Sequence, residues 1–374
     1  MKVIFFANTD WYLFNFRLGL ARYLKGKGAE VVFLSPAGEY APLIEAAGFR
    51  WLALPMDRRS LNIVRELKLL NKIVQIFKAE KPDFVHNFTV KCVVYGSLAA
   101  QLAGIGGRIN AVAGLGYIFS SKSTKARLLK PLVKLLLRIA LRGSQSELIL
   151  QNPDDLALFR RLGLIATERI HLIKGSGVDS SRFAPLQHQR GKRFRILLAS
   201  RLLWEKGIRD YIGAARLLRG RADELEFLLA GSSDPGNPSA VPERDIAQWD
   251  KEGLVEVLGH VEQMDALMRT VDLVVLPSYY GEGVPRGLIE AAAMGLPIIT
   301  TNAPGCREIV DDGVNGFLVP VKDEQALASK IEYLLESPEV CQRFGAAGRK
   351  KMLEEFDEQI VFQKTRAVYQ AAGF

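Results

Sequence analysis

Two carboxylates and two permanent cations in the second half of the chain sit at spacings that suit chemistry on a sugar diphosphate. Glu282 and Glu290 lie in Tyr279-Tyr280-Gly281-Glu282-Gly283-Val284-Pro285-Arg286-Gly287-Leu288-Ile289-Glu290. The apolar run Leu273–Leu276 reads as a short buried strand that feeds this glycine-containing loop. Pro285 then falls near the first turn of a helix, where its missing N–H costs nothing. Glycines let backbone approach a ligand, and the free N–H groups of a helix start favour phosphate. An ionised Glu only accepts hydrogen bonds, so Glu282 on the loop and Glu290 in the helix suit paired hydroxyls. Arg201 and Lys206 lie in Ala199-Ser200-Arg201-Leu202-Leu203-Trp204-Glu205-Lys206-Gly207, after one apolar run and before a helical pattern. Such a pair holds a diphosphate and stabilises the charge that builds on it as the bond to it breaks.

The elements that must position these groups alternate along the chain. Strand-like runs at Val3–Ala7, Val31–Leu34, Trp51–Leu54 and Phe84–His86 are separated by helical patterns near Phe14–Lys27, Ala41–Ala47 and Ile63–Lys78. The rhythm pauses over residues 174–193 and restarts with Ile196–Ala199, a helix through Leu218, Leu225–Leu229, a Pro/Gly-rich loop over Ser232–Pro242, Leu273–Leu276 and Ile298–Thr300. A last helix over Glu354–Ala371 closes the chain. Alternation of this kind predicts two doubly wound parallel sheets, with ligands at the carboxyl ends of strands.

Composition removes several classes. There is no GxGxxG after the first strand and no GxxxxGK[ST], which argues against a dehydrogenase and a P-loop enzyme. The three cysteines form no metal or disulfide pattern, which fits a reducing cytoplasm. No export leader is visible, and no stretch approaches the roughly 20 apolar residues of a membrane span.

Charge is uneven. Residues 1–190 hold 28 Lys and Arg against 13 Asp and Glu, and no acidic residue falls between Asp83 and Glu147. Arg127, Lys130, Lys134, Arg138 and Arg142 make one stripe on a helix whose other positions form a wide apolar face, with Pro131 at its start or at a kink. That predicts an interfacial helix on an anionic membrane surface. The stripe lacks interleaved aromatics, so nucleic acid is not expected.

The segment from Glu282 to Thr301, with Pro304-Gly305-Cys306-Arg307-Glu308 and Asp312-Gly313-Val314-Asn315-Gly316-Phe317, resembles the family 4 retaining glycosyltransferases, whose E-x7-E motif Glu282 and Glu290 match. The resemblance covers most of the chain and is strongest from Ser176 to Pro320. It implies an α/β fold of the GT-B class: two Rossmann-like doubly wound domains facing a cleft, with a C-terminal helix crossing back to the first. The domains are expected at 1–180 with a returning helix at 356–374, and at 181–355.

The same resemblance implies site roles. Glu282, Arg201 and Lys206 would be catalytic, with both cations on the donor's diphosphate. Glu290 would take the ribose, and Gly283, Val284, Leu288, Val261 and Gly177 would line the donor. Gly177 belongs to a Gly-Val-Asp segment like the family's interdomain linker, and Leu258-Gly259-His260-Val261 is similar to the strand that meets the nucleotide base. His86 reads as structural, and His260 as packed or solvent-facing rather than reactive.

The N-terminal half departs from the family pattern. Asn8-Thr9-Asp10-Trp11 replaces a Gly-Gly loop, and Ala111-Val112-Ala113-Gly114 lacks the histidine many relatives carry there. Phe14-Asn15-Phe16-Arg17, Ser60-Leu61-Asn62 and Gly114-Leu115-Gly116 resemble a subgroup that adds N-acetylhexosamine, N-acetylgalactosamine in its nearest members, to undecaprenyl-diphosphate-linked sugars. The expected substrates are therefore a nucleotide-sugar, UDP-linked, and a polyprenyl-diphosphate glycolipid. Asn15 and Arg17 join the basic stripe on the acceptor and membrane side. No cofactor is expected, and with no DxD triad no metal. Transfer would retain configuration, on the inner face of the plasma membrane. Two alternatives stay open: transfer to a soluble acceptor, and a non-catalytic nucleotide-sugar-binding protein.

Overall fold

Val3-Ile4-Phe5-Phe6 and Val31-Val32-Phe33-Leu34 are unbroken apolar runs, all at most 5% exposed, as strands covered on both faces require. They belong to a computed structural model that describes residues 1–57, 60, 62–114, 124–185, 191–234 and 236–373, with backbone alone for 124–129. Arg127, Leu61, Leu115 and Gly116 therefore lie outside the described side chains.

The chain forms two units, Met1–Ser176 with Val361–Phe374, and Gly177–Ile360. The first runs β1 (Lys2–Phe6), α1 (Asp10–Gly26), β2 (Glu30–Ser35), α2 (Ala41–Ala46), β3 (Arg50–Ala53), α3 (Ile63–Glu80), β4 (Phe84–Phe88), α4 (Val90–Ala103), β5 (Gly107–Val112), α5 (Thr124–Ala140), β6 (Ser146–Leu150), α6 (Pro153–Leu162) and β7 (Ile170–Leu172). Its seven strands lie in the order β3-β2-β1-β4-β5-β6-β7, all parallel.

The second runs β8 (Phe194–Ala199), α7 (Ile208–Leu217), β9 (Leu225–Ala230), α8 (Glu243–Lys251), β10 (Glu256–Gly259), α9 (Met264–Met268), β11 (Leu273–Leu276), α10 (Arg286–Ala293), β12 (Ile298–Thr301), β13 (Gly316–Val319), α11 (Glu324–Glu336) and α12 (Pro338–Glu355). Its six parallel strands are ordered β10-β9-β8-β11-β12-β13. Both sheets are doubly wound, the α/β architecture expected.

Three expectations shift. The first helix begins at Asp10 rather than Phe14, because Thr9 is its cap and accepts from the Tyr12 N–H at 3.1 Å. The closing helix does not run unbroken from Glu354. α12 stops at Glu355, and α13 (Glu358–Ala371) starts anew. Between them Phe356 is buried and Asp357 bridges Val178, so a core residue interrupts the helical path. α5 ends at Ala140, before Arg142, and of the two places left open for Pro131 it takes the one inside the helix.

Gly207 sits at φ +77, and a Cβ built there would lie 2.0 Å from the Pro277 carbonyl oxygen. No side chain fits without moving backbone. Gly207→Ala is therefore expected to destabilise the protein by more than about 2 kcal/mol, read as a lowered urea midpoint. Gly220→Ala, with nothing within 4 Å, is the control and should leave the midpoint near wild type.

Candidate functional site

From β8 the chain winds outward through β9 to β10, then returns to the other side of β8 as β11. Neighbouring strands whose connections diverge leave a crevice at their carboxyl ends, where ligands bind in open α/β sheets. Both motifs leave from there. Ser200–Gly207 follows β8, and Pro277–Pro285 follows β11.

Glycines bring the two loops into contact. Gly207 admits the Pro277 backbone, the Tyr279 N–H donates to the Glu205 carbonyl at 3.1 Å, and the Ser278 hydroxyl lies 3.0 Å from the same oxygen. A third loop braces the second: the Glu282 N–H donates to the Pro304 carbonyl at 3.2 Å. Gly305, at φ +86, passes so close that a Cβ would fall 1.6 Å from the Gly283 carbonyl. The Pro304-Gly305 pair is thus a support for the loop that carries Glu282.

On this scaffold Lys206 Nζ meets Glu282 Oε2 at 2.6 Å, and both side chains are largely enclosed, 13% and 14% exposed. Glu282 Oε1 lies 2.9 Å from the Ser278 hydroxyl. Arg201 differs. Its side chain is 59% exposed and reaches Asp234 Oδ2 at 3.3 Å. Glu290 takes no part in the Lys206 pair; it accepts from Arg286 Nε at 2.8 Å along α10. Burial raises the Glu290 carboxyl from its ordinary value, with Arg286 pulling against that. The crevice therefore presents one enclosed cation–carboxylate pair and one open guanidinium.

The other predicted donor residues divide. Val284 and Leu288 are core residues, so only their backbone faces outward chemistry, and the Leu288 N–H already donates to the Pro285 carbonyl at 3.1 Å. Gly283 is buried, and Val261 packs half-buried on the same core. Gly177, at φ +77, has a packing reason to be glycine: a Cβ would lie 2.6 Å from the Glu358 Cα.

Sequence reasoning missed Ser278 and Arg286. The i,i+4 spacing of Arg286 and Glu290 was the available signal for the second. Nothing local marks Ser278. Among the described residues no group of three or more His, Cys, Asp or Glu is placed to hold a metal ion.

In the first unit, Arg17 is 5% exposed, while the Asn15 side chain folds back to donate to the Trp11 carbonyl at 3.0 Å. The basic stripe of α5 needs correction. Arg138 and Arg142 are exposed, but Lys130 and Lys134 are half-buried. The apolar positions do not form one face: Leu137 and Leu141 enter the core beside α4 and β6, while Leu132 (53%), Leu135 (54%) and Ile139 (36%) remain exposed. A second exposed apolar group was not foreseen. Ile63 (75%), Val64 (61%) and Leu67 (61%) open α3 beside exposed Arg65 and Lys68. No helix of the described residues is long and apolar enough to cross a membrane.

Residues 2–152 match the family described as glycosyl transferase 4-like, and residues 182–351 match the glycosyl transferases of group 1. The chain is 27% identical over 381 residues to the N,N'-diacetylbacillosaminyl-diphospho-undecaprenol alpha-1,3-N-acetylgalactosaminyltransferase of Campylobacter jejuni, covering 99% of this chain and 98% of that one. It is 26% identical to the UDP-Gal:alpha-D-GlcNAc-diphosphoundecaprenol alpha-1,3-galactosyltransferase of Escherichia coli, over 72% of this chain and 70% of that one. The crystal structure of HepE from Anabaena, with UDP and glucose, superposes with a TM-score of 0.79 over 99% of both chains at 21% identity, a likeness of fold. With the 4-like model on its first half and the group 1 model on its second, on a GT-B architecture, the chain belongs to the group 1, family 4-like glycosyltransferases.

Proposed function

We propose that this glycosyltransferase moves an N-acetylhexosamine, with retention, from a UDP-sugar to a polyprenyl-diphosphate-linked sugar at a membrane surface. The observation that carries the donor half is the Lys206–Glu282 pair beside the open Arg201 at the crevice of the second sheet. Arg201 and Lys206 take the diphosphate, Glu282 the transferred sugar and Glu290 the ribose, with the base on the backbone near Val261. Two fixed cations can neutralise the leaving diphosphate without a divalent ion, so transfer proceeds in EDTA. The leaving phosphate takes the acceptor proton. The relatives named above, both acting on undecaprenyl-diphosphate-linked sugars, support the acceptor class.

The membrane half rests on two exposed apolar and basic groups: Leu132, Leu135 and Ile139 with Arg138 and Arg142, and Ile63, Val64 and Leu67 with Arg65 and Lys68. Apolar side chains between Lys and Arg suit an anionic lipid surface.

The test is radiolabel transfer from a panel of UDP- and GDP-sugars to undecaprenyl-diphosphate-linked acceptors, with EDTA present. Transfer from one UDP-N-acetylhexosamine, lost in Glu282→Ala, is the expected result. Transfer only to a soluble sugar would remove the membrane acceptor, and donor binding without turnover would remove catalysis.

The raised carboxyl of Glu290 gives a pH signature. Its anion, the form that accepts from ribose, is lost as pH falls through a range above the ordinary carboxylate value. Donor KM is therefore expected to rise as pH falls from neutrality, sooner than an ordinary carboxylate would make it, while Glu290→Gln should give a high, flat KM. A wild-type KM independent of pH over that range would separate Glu290 from the ribose.

A further inference from the structure

α10 opens with a cation where its dipole favours an anion. Arg286 is its first residue, and the first turn holds no Asp or Glu. One turn on, Glu290 accepts from Arg286 Nε at 2.8 Å, with the cation before the carboxylate, the weaker of the two orders on a helix. Helix stability therefore gives little reason for an arginine here. The geometry of the pair gives another.

The Glu290 side chain is 12% exposed, and only its Oε1 is engaged; no hydrogen bond reaches Oε2 among the described residues. Burial raises this carboxyl, Arg286 opposes that most, and Arg182 and Asp265 act on it in opposite directions. Those two are already bound to each other. Arg182 gives Nε and Nη2 to Asp265 Oδ1 at 3.2 and 2.8 Å, and Arg269 stands 3.8 Å from Asp265 Oδ2. Arg349, on α12 packed along α10, gives its guanidinium to the carbonyls of Ser180, Phe183 and Ala293. Arg286 is thus the one cation in direct contact with the Glu290 carboxylate among the described residues.

A carboxylate held by one oxygen and open at the other is a fixed acceptor. A site built for one hydroxyl rejects the analogue that lacks it, because its own polar group is then left unpaired.

We propose that Arg286 is a positioning residue for the ribose contact: its Nε–H fixes Oε1 of Glu290, leaves Oε2 to a ribose hydroxyl, and so sets a preference for ribonucleotide over deoxyribonucleotide donors. The proposal deepens the donor half of the reading above, with Glu290 on the ribose, and rests on it.

Full-length wild type, Arg286→Gln, Arg286→Met and Glu290→Gln are titrated calorimetrically with UDP and with 2′-deoxy-UDP, at neutral and at falling pH. The ratio of the two affinities cancels the ionisation of the diphosphate, which both nucleotides carry. Wild type is expected to prefer UDP about 10- to 100-fold, the weight of one hydrogen bond to a charged group. That preference should shrink as pH falls and Glu290 takes a proton. A Gln amide nitrogen can stand where Nε stood, so Arg286→Gln keeps a donor and loses the charge. Its preference should shrink at a higher pH than that of wild type. Arg286→Met loses donor and charge together, and should prefer UDP by a few-fold at most even at neutral pH.

Arg286→Met with the wild-type preference, or Arg286→Gln with the wild-type pH dependence, would overturn the proposal. Equal losses for both nucleotides would put Arg286 on the diphosphate instead. A lowered urea midpoint with the preference intact would make it a brace of α10. Should Arg286→Met not fold, Arg286→Gln carries the test through its pH dependence. Wild type without a preference, or Glu290→Gln that keeps one, would sink the ribose reading and this proposal together. A preference lost in Glu290→Gln but kept in Arg286→Met would sink this proposal alone.

Discussion

Lys206→Ala is expected to lower kcat for transfer about 10²- to 10³-fold, the weight of one fixed group at a developing charge, and to destabilise the protein as well. The second effect follows from enclosure. Removing the ammonium leaves Glu282, 14% exposed, with the Ser278 hydroxyl still within reach but without its cation. An enclosed carboxylate stripped of its charged partner costs about 1–3 kcal/mol. Lys206→Met combined with Glu282→Gln removes both charges, so most of the stability should return while affinity for UDP does not. The measurement is a urea midpoint beside calorimetric UDP binding for Lys206→Ala and the double variant. Stability and UDP affinity that recover together in the double variant would make Lys206 a structural partner of Glu282 rather than a ligand for the diphosphate.

How much of this was legible depended on how local each feature is. Both sheets were readable because parallel strands buried on two faces must be apolar throughout, and Val3–Phe6 or Leu273–Leu276 can be little else. The Glu282/Glu290 and Arg201/Lys206 pairs were readable because each sits within one strand–loop–helix passage. What the loops do to one another was not. That Lys206 chooses Glu282, that Ser278 supports the same carboxylate, and that Gly305 makes room for Gly283 depend on β8 and β11 lying side by side.

The helical faces show the same limit. The stripe drawn on α5 assumed that all its leucines point one way. Packing against α4 and β6 takes Leu137 and Leu141 and leaves Leu132 and Leu135 outside. Nothing in the helical pattern of α3 marks Ile63, Val64 and Leu67 as outward-facing, and only the placement of α3 leaves them exposed.

Arg201→Ala is expected to fall as far in kcat as Lys206→Ala, about 10²-fold or more, with no measurable change in stability. Its side chain is 59% exposed, and Asp234, at 3.3 Å, is the one carboxylate paired with it among the described residues. Exposed pairs contribute about 0–1 kcal/mol and are screened by salt. Openness is what a group needs if it is to meet a ligand that is not yet there, so the two cations divide the work: Lys206 is held in place by the protein, and Arg201 is left for the diphosphate. Arg201→Lys should recover part of the rate, because a point charge replaces a fork that binds two phosphate oxygens at once. Asp234→Ala tests the same idea from the other side. If Asp234 competes with the diphosphate for the guanidinium, its removal lowers donor KM and flattens the dependence of KM on salt. A rate in Arg201→Ala within a few-fold of wild type would leave Lys206 as the only charge on the diphosphate, and two fixed cations would no longer account for metal-independent transfer.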